Sequence, residues 1–402
     1  MYLRTTFLFI MLCISSLVVA QQYPIQYYPD VDCEELNLVN DTSKFDKDKI
    51  LSCSFYSNID FSSGEFSGKA GFIESIFNTE TSFSECSFLE EANFTETIFL
   101  GNVNFTNSLF KKKTMFYRTN FNNDAIFDNA HFDSVAIFVS ALIKENISFD
   151  SVSTNDKLNF LSAYIDGNFS MQYAHINSDI YFSEAKLLHG ANFNKSSFTS
   201  NIYLNNAQIK GHVDFQEAIL GNTLDFRRSA LNASLNFENA TLPDTLLFSY
   251  IDHIDHTIDL TLAKKKSDDI YIELTNFPIE KIKLDYTNYK LFFNSFDEDI
   301  SISDSSKISV YSRLMDNQKQ NGFTDGYEKL DRELQEFNYI ANGHHFANWV
   351  QKNVLDYGYM RLEIILRNLL LFVFLLLVAV LIFRRQRLHK ASVTPTPETT
   401  TR

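Results

Sequence analysis

The sequence is poor in positive charge, cysteine and tryptophan, and these shortages exclude several classes of protein. Its 402 residues carry 35 lysines and arginines against 50 aspartates and glutamates, a formal net charge of −15. Because that charge repels phosphate groups, nucleic acid is not an expected partner. The four cysteines show no Cys-x-x-Cys or Cys/His metal spacing, and no nucleophile elbow, phosphate loop or zinc-protease motif occurs. We therefore predict a protein that is not an enzyme and holds no cofactor or metal.

Phenylalanine is abundant, with 39 residues against one tryptophan. From Phe61 to Phe248, all eighteen positions at steps of eleven are large and apolar, and sixteen are phenylalanine. This predicted core ladder comprises Phe61, Phe72, Phe83, Phe94, Phe105, Phe116, Phe127, Phe138, Phe149, Phe160, Phe182, Phe193, Phe215, Phe226, Phe237 and Phe248. A second series with the same step runs from Phe66 to Leu242, and only Thr154 in it is not large and apolar. Such a pattern indicates an internal repeat without insertions.

The two series interleave at spacings of five and six, and a second small or apolar residue lies two positions before most anchors, as at Ala130 and Ile180. Residues two apart share one face of a strand, whereas steps of five and six drift around a helix. We therefore predict short strands joined by corners and stacked in coils about 4.8 Å apart. We take the coil as four faces and about 22 residues, which gives about nine regular coils, although the pattern also allows another number of faces.

Short stretches of the repeat resemble the pentapeptide-repeat family, whose unit is A-(D/N)-L-x-x with Leu or Phe at its centre. They include residues 91–94 (EANF), 190–193 (GANF) and 212–215 (HVDF). The resemblance implies a mostly β fold, a right-handed quadrilateral β-helix with an 11-residue double unit, followed here by short α-helices and one transmembrane helix. The sequence departs from the family by one added residue per pair of units.

Both ends of the chain carry membrane-related patterns. Residues 1–20 combine Arg4, an apolar stretch and small residues up to Ala20, which predicts a signal peptide, with an uncleaved signal anchor as the alternative. Residues 362–383 predict a transmembrane helix, and the arginines and lysine at 384–390 predict a cytoplasmic C-terminus. We expect a single-pass protein of the cell membrane with its solenoid outside the cytoplasm, periplasmic or extracellular.

The remaining boundaries follow from the repeat and from helical spacing. We predict an N-terminal cap at 21–54, a regular solenoid at 55–250, irregular terminal coils at 251–307, a helical cap or juxtamembrane segment at 308–358, and a basic stretch with a disordered tail at 384–402.

In the helical segment, Asn321 and Gly322 separate two helices that we expect to cap the solenoid, with an exposed linker helix as the alternative. Residues 311–334 and 357–371 loosely resemble the region between pentapeptide repeats and a potassium-channel-like module in some bacterial proteins. No pore loop or Thr-x-Gly-Tyr-Gly filter accompanies them, so a channel is not expected.

Asparagine or aspartate often precedes an anchor, as at Asn93, Asn104, Asn159, Asn192, Asp214, Asp225 and Asn236. We expect these side chains to hydrogen-bond the backbone of their own corner, with a polymer- or cation-binding ladder as the alternative. Asp225, Arg227 and Arg228 form the densest mixed-charge cluster, which we interpret as a solvated ion pair, because no loop is inserted to build the cleft that a β-helix enzyme needs.

Cysteine and histidine add two weaker candidates. Cys33 and Cys53 offer a disulfide in an oxidising compartment, with three buried thiols, Cys86 included, as the alternative. His253 and His256 are a minor metal candidate, whereas His131 and His175 lie four elevens apart and are too distant to share a metal. His344 and His345 lie beside the predicted membrane surface.

The function that these observations favour is a membrane-anchored, extracytoplasmic scaffold without catalysis, which binds a protein or a glycan along its solenoid. An accessory or sensor subunit of a membrane complex is the first alternative. A polysaccharide-active β-helix enzyme that depends on Asp225 is the second.

Overall fold

The computed structural model describes residues 49–266, 269–294, 301–359 and 362–391. The chain divides into two units, one ending at Val310 and one beginning at Tyr311. The first contains a parallel β-solenoid of about eleven turns. The predicted signal peptide and most of the predicted N-terminal cap lie outside the described residues.

Each coil of the solenoid has four faces, and a strand on one face pairs in parallel with its counterpart in the next coil. Ile76 pairs with Ile98 on one face, and Phe88 pairs with Phe110 on another. The 22-residue coil of four faces, predicted from the two series of eleven, is therefore confirmed.

The strands are two to four residues long on most faces. Face 1 holds Ser54–Phe55, Ile76–Phe77, Ile98–Phe99, Asn120–Phe121, Leu142–Ile143, Tyr164–Ile165, Lys186–Leu187 and His253–Ile254. Face 2 holds Ile59–Asp60, Thr81–Ser82, Val103–Asn104, Ala125–Ile126, Ile147–Ser148, Phe169–Ser170, Ala191–Asn192, Ile258–Asp259 and Ile282–Lys283. Face 3 holds Glu65–Phe66, Ser87–Phe88, Leu109–Phe110, His131–Phe132, Ser153–Thr154, His175–Ile176 and Ser197–Phe198. Face 4 holds Lys49–Ile50, Ala70–Gly71, Ala92–Asn93, Thr114–Met115, Ala136–Ile137, Leu158–Asn159, Ile180–Tyr181, Ile202–Tyr203, Thr223–Asp225, Thr245–Leu247, Ile270–Glu273 and Tyr289–Leu291.

Two longer strands, Gln208–Asp214 and Ala230–Asn236, continue from face 1 into face 2 and pair along their whole length. At this level the corner between the two faces is therefore a bent sheet without a break in hydrogen bonding.

The phenylalanines fill the interior as columns parallel to the solenoid axis. Phe127 shows the contacts of one ring: it stacks on Phe105 and Phe149 at 4.8 Å, with interplanar angles of 7°. It also meets Phe116 and Phe138 edge to face at 5.3 and 5.4 Å. Because the stacking distance equals the strand spacing, identical side chains in successive coils fill the core without gaps.

The two corners of each eleven-residue unit differ. After Phe61, a tight turn places Ser63 at a φ of +59°, and Gly64 N–H donates to Phe61 O at 2.9 Å. A residue with positive φ recurs at this position in every unit, up to Tyr250. The other corner, which lies within the six-residue spacing, is instead an open bend, as at residues 67–69. The residue added relative to the family unit lies in that bend, so the four faces remain.

Beyond Phe248 the constant register is lost. The regular step would pair Leu247 with Asp269, but its partner is Glu273, further along the chain. Ile272 pairs with Leu291, which comes earlier than the regular step requires. Short 3-10 turns at Ile279–Lys281 and Tyr286–Asn288 occupy these last coils. The interior nevertheless stays apolar, since Ile270, Ile272 and Leu274 are buried.

The second unit is helical. We label the four α-helices of the described C-terminal region α1 to α4: Asp304–Asn321, Thr324–Ala341, His345–Val350 and Leu362–Ala391. A π-helical turn, Gln351–Leu355, and a 3-10 turn, Asp356–Gly358, connect α3 to α4. Gly322 separates α1 from α2 at a φ of +76°, where the Asn-Gly pair predicts a break.

Replacement of Phe127 by alanine is expected to lower the free energy of unfolding by about 3–5 kcal/mol, because the ring is fully buried and contacts six others. Tyr117→Ala, at a position 39% exposed, is the matched control and should change it by less than about 0.5 kcal/mol. Urea denaturation followed by circular dichroism measures both. Equal midpoints for the two variants would contradict the packing described.

Thr154→Val is expected to stabilise the protein by about 1 kcal/mol. Thr154 is 1% exposed between Phe132 and Ile176, and its hydroxyl has no hydrogen-bond partner among the described residues. Valine keeps the branched shape and removes the unpaired hydroxyl. A lower urea midpoint for this variant would show that the hydroxyl is satisfied in solution.

Candidate functional site

The row of face 4 residues in register with Gly71 changes character along the solenoid. In the first coils it carries Gly71, Asn93, Met115, Ile137 and Asn159. In the later coils the same row carries Tyr181, Tyr203, Asp225, Leu247 and Glu273. We call this later part, together with Arg227, the face 4 patch. It combines aromatic rings with charge in one register and is therefore the candidate functional site.

Two half-buried tyrosines form the first part of the patch. The rings of Tyr181 and Tyr203 stack at 4.9 Å with an interplanar angle of 16°, because the two residues are paired on adjacent strands. The Tyr181 hydroxyl donates to Asp179 at 3.0 Å, and Ser200 and Asn201 donate to the same carboxylate. Burial, followed by the hydrogen bond to Asp179, raises the pKa of Tyr181 to about 12, so the phenol stays protonated.

A buried ion pair forms the next part. Arg227 donates to both carboxylate oxygens of Asp225, from Nε at 2.9 Å and from Nη2 at 2.7 Å. The Asp225 side chain is 2% exposed, in register between Tyr203 and Leu247. The cluster predicted from the sequence is therefore an ion pair, but the prediction that it is solvated is wrong, because neighbouring coils cover it.

Glu273 completes the patch and was not found from the sequence. The residue is fully buried, and the Ser249 hydroxyl and the Asn294 backbone are the polar groups beside its carboxylate. Burial raises the pKa of Glu273, against the opposing charge of Arg227. The eleven-residue step could not locate Glu273, because the register slips between Leu247 and this residue. Tyr181 and Tyr203, in contrast, directly precede anchors and could have been found.

The patch is suited to binding and poorly suited to acid–base catalysis. A general acid or base must reach the substrate, whereas Asp225 is committed to Arg227 and Glu273 has no exposed surface. The half-buried tyrosine edges remain accessible. Among the described residues, no group of three or more His, Cys, Asp or Glu side chains is arranged to hold a metal ion.

The asparagines and aspartates that precede anchors act within their own corners. Each accepts a hydrogen bond from the backbone N–H two residues later, at 2.9–3.0 Å. The seven residues are Asn93, Asn104, Asn159, Asn192, Asp214, Asp225 and Asn236. The corner interpretation is confirmed for all of them, since the bond fixes the turn that follows the strand.

The histidines lie in separate surface networks. His131 bonds Asp133 and Ser153, both at 2.6 Å. Hydrogen bonds from Lys111 and His131 lower the pKa of Asp133 to about 2. His253 bonds Asp255 at 2.8 Å, at the irregular end of the solenoid.

The cysteines divide into two kinds. Cys86 is a free, buried thiol whose Sγ donates to Phe61 O at 3.0 Å, and burial raises its pKa to about 12. Cys53 is disulfide-bonded. Cys33, the partner considered from the sequence, lies outside the described residues, so the Cys33–Cys53 pairing stays a prediction.

The geometry up to Val310 defines a class: a parallel four-sided β-solenoid whose coils carry pentapeptide-like units. The family model of pentapeptide repeats, written as nine copies, matches residues 61–109. This match confirms, for these residues, the resemblance found in the sequence. A search of curated proteins and a search of solved structures each gave no match.

Glu273→Gln tests the electrostatics of the patch. Because the pKa of Glu273 is higher in the folded than in the unfolded protein, deprotonation opposes folding once the pH exceeds the unfolded value of about 4.5. The neutral amide removes this cost. We expect the variant to be more stable than the parent at pH 7, and the difference to shrink as the pH falls below 4.5.

Urea midpoints of parent and variant at several pH values measure this difference. Glu238→Gln, the same replacement on an exposed corner of the solenoid, is the matched control. A Glu273 variant that loses stability at pH 7 would mean that the carboxylate is ionised and satisfied.

Proposed function

We propose that this protein is a membrane-anchored, non-catalytic scaffold whose solenoid binds a partner protein through the face 4 patch outside the cytoplasm. The observation that carries the proposal is the fixed arrangement of the patch. Stacking holds Tyr181 and Tyr203, and a two-point ion pair holds Arg227 on Asp225. A surface that is ordered before binding loses little conformational entropy when a partner arrives.

Anchoring is supported by the C-terminal helix. The stretch Leu366–Arg385 of α4 is long and apolar enough to cross a membrane. Most of its side chains are exposed in the structure, including Leu369 to Leu377 and Val380 to Phe383. The basic residues at 384–390 favour a cytoplasmic end, which leaves the solenoid on the other side.

A protein partner fits the patch better than a glycan does. Sugar rings stack on open aromatic faces, but here the tyrosine faces lie against each other, and Lys157 lies 5.9 Å from the ring centre of Tyr181. The accessible edges, with a fixed arginine beside them, match the tyrosine- and arginine-rich character of protein interfaces.

The test compares partner capture by full-length variants in the native membrane, with crosslinking from the extracytoplasmic side. The double variant Tyr181→Ala/Tyr203→Ala should reduce capture of the partner about tenfold or more, the loss expected for central tyrosines. Tyr164→Ala, on face 1, is the matched control and should capture normally. Equal capture by all three proteins contradicts the proposal, and turnover or binding on a glycan panel would favour the polysaccharide alternatives.

A sensor or accessory role in a membrane complex is a second candidate, favoured by the segment before α4. Asp356 and Tyr357 both adopt positive φ, at 45° and 50°, a conformation that costs free energy in non-glycine residues. Arg332 of α2 holds this turn through Asp356 at 3.1 Å and lies 4.6 Å from the Tyr359 ring centre. Movement of α2 would therefore be transmitted to α4. Crosslinking of α4 to another membrane protein would support this role, and an exclusively monomeric span would contradict it.

A further inference from the structure

Two large aromatic side chains are exposed on the short helix α3. Phe346 is 79% exposed and Trp349 is 57% exposed, and their rings lie 6.4 Å apart with an interplanar angle of 16°. Leu355, in the turn that follows, is 37% exposed. Exposure of so much apolar surface to water is unfavourable, so an apolar environment is expected to cover this face.

Side-chain hydrogen bonds fix the connection between α3 and α4. The Arg367 guanidinium donates to Asn353 O at 2.9 Å, and the Asn368 amide donates to Val354 O at 2.6 Å. Both donors belong to the first turns of α4, and both acceptors belong to the π-helical turn directly after α3. The aromatic pair is therefore held close to the beginning of the apolar stretch Leu366–Arg385.

These bonds also show how Arg367 is accommodated at the edge of an apolar helix. A charged group near hydrocarbon is costly unless it pairs with polar atoms. A carbonyl of the π-helical turn supplies such an atom, which makes the turn and the beginning of α4 one structural element. Lys352 of the same turn pairs with Glu336 of α2 at 2.6 Å.

We propose that α3 is an interfacial helix, with Phe346 and Trp349 inserted into the headgroup–acyl boundary of the membrane that α4 crosses. This inference depends on the proposed anchoring. Tryptophan is enriched at that boundary, and amphipathic elements of this kind lie about 5–10 Å into it. The occupant of the exposed aromatic face is thus the lipid bilayer, and the helix sets the height of α2 above the membrane.

The protein carries its own probe, because Trp349 is the single tryptophan of the 402 residues. The tryptophan fluorescence of the full-length protein is measured in phosphatidylcholine vesicles. Three quenchers are compared: acrylamide in the water, lipids brominated near the headgroup and lipids brominated near the chain end. We expect the shallow-brominated lipids to quench Trp349 most strongly. Trp349→Phe provides the blank.

A second tryptophan position separates this inference from the anchoring itself. Leu376→Trp in the Trp349→Phe background places the probe in the middle of the apolar stretch, where the chain-end bromine should quench most strongly. Phe346→Trp in the same background should reproduce the shallow profile of Trp349.

Every other pattern of quenching contradicts one part of the proposal. If chain-end bromine quenches Leu376→Trp but only acrylamide quenches Trp349, the interfacial position of α3 is overturned. The proposal that α4 crosses the membrane then still stands. Trp349 shielded from acrylamide and from both lipids means that a second copy or another protein segment covers it, which also overturns the inference. Strongest quenching of Trp349 by chain-end bromine overturns the interfacial depth. Absence of lipid quenching at both positions overturns the proposed anchoring.

Discussion

The stacking of each phenylalanine ring on its counterpart in the next coil is the interaction on which the solenoid depends. Parallel strands approach to about 4.8 Å, and rings such as Phe105, Phe127 and Phe149 stack at that distance. The same side chain at the same position of each coil therefore packs equally well throughout the solenoid. This explains a composition of 39 phenylalanines and one tryptophan, and it explains the absence of insertions, because a single added residue would move an entire row out of the core.

Because the aromatic columns offer no hydrogen-bond partners, the backbone N–H and C=O groups are paired between strands and at the corners. Neighbouring coils pair the strands, and small buried residues complete the network. The hydroxyls of Thr97, Ser108 and Thr119 donate to the carbonyl oxygens of Phe72, Phe83 and Phe94 at 2.5–2.7 Å. Asparagines and aspartates close the turns on the outside. Positions outside the aromatic columns are thus left free to vary, and the face 4 patch arises where tyrosines and acidic residues occupy one row beside Arg227.

Much of the fold could be predicted because the period is strict. The phenylalanine columns follow from the spacing, and the four-faced coil is one of the face counts that the spacing allows. The corner role of Asn93 follows from its residue type and its place before an anchor. Some details do not. Met171 replaces phenylalanine in the column between Phe149 and Phe193, and Phe169, two residues earlier, fills the space at 5.8 and 5.7 Å from their rings. Such an exchange depends on packing volume, which a pattern does not contain.

The candidate site was only partly predictable for the same reason. Asp225 and Arg227 are neighbours in sequence, so their pairing is local, but their burial depends on coils above and below. Glu273 joins them only because the register shifts after Phe248, and no periodic argument extends past that point. Sequence reasoning therefore located the charges and misjudged their exposure to solvent.

Disulfide formation between engineered cysteines measures the coil size most directly. Tyr164 and Lys186 are outward neighbours on adjacent strands of face 1, whereas His175, midway between them in the sequence, lies on face 3. We predict that Tyr164→Cys/Lys186→Cys crosslinks under mild oxidation, because adjacent strands bring the two Cα atoms into disulfide range. Tyr164→Cys/His175→Cys should stay reduced. Crosslinking of the second pair with similar yield, or of neither, would contradict the four-sided coil.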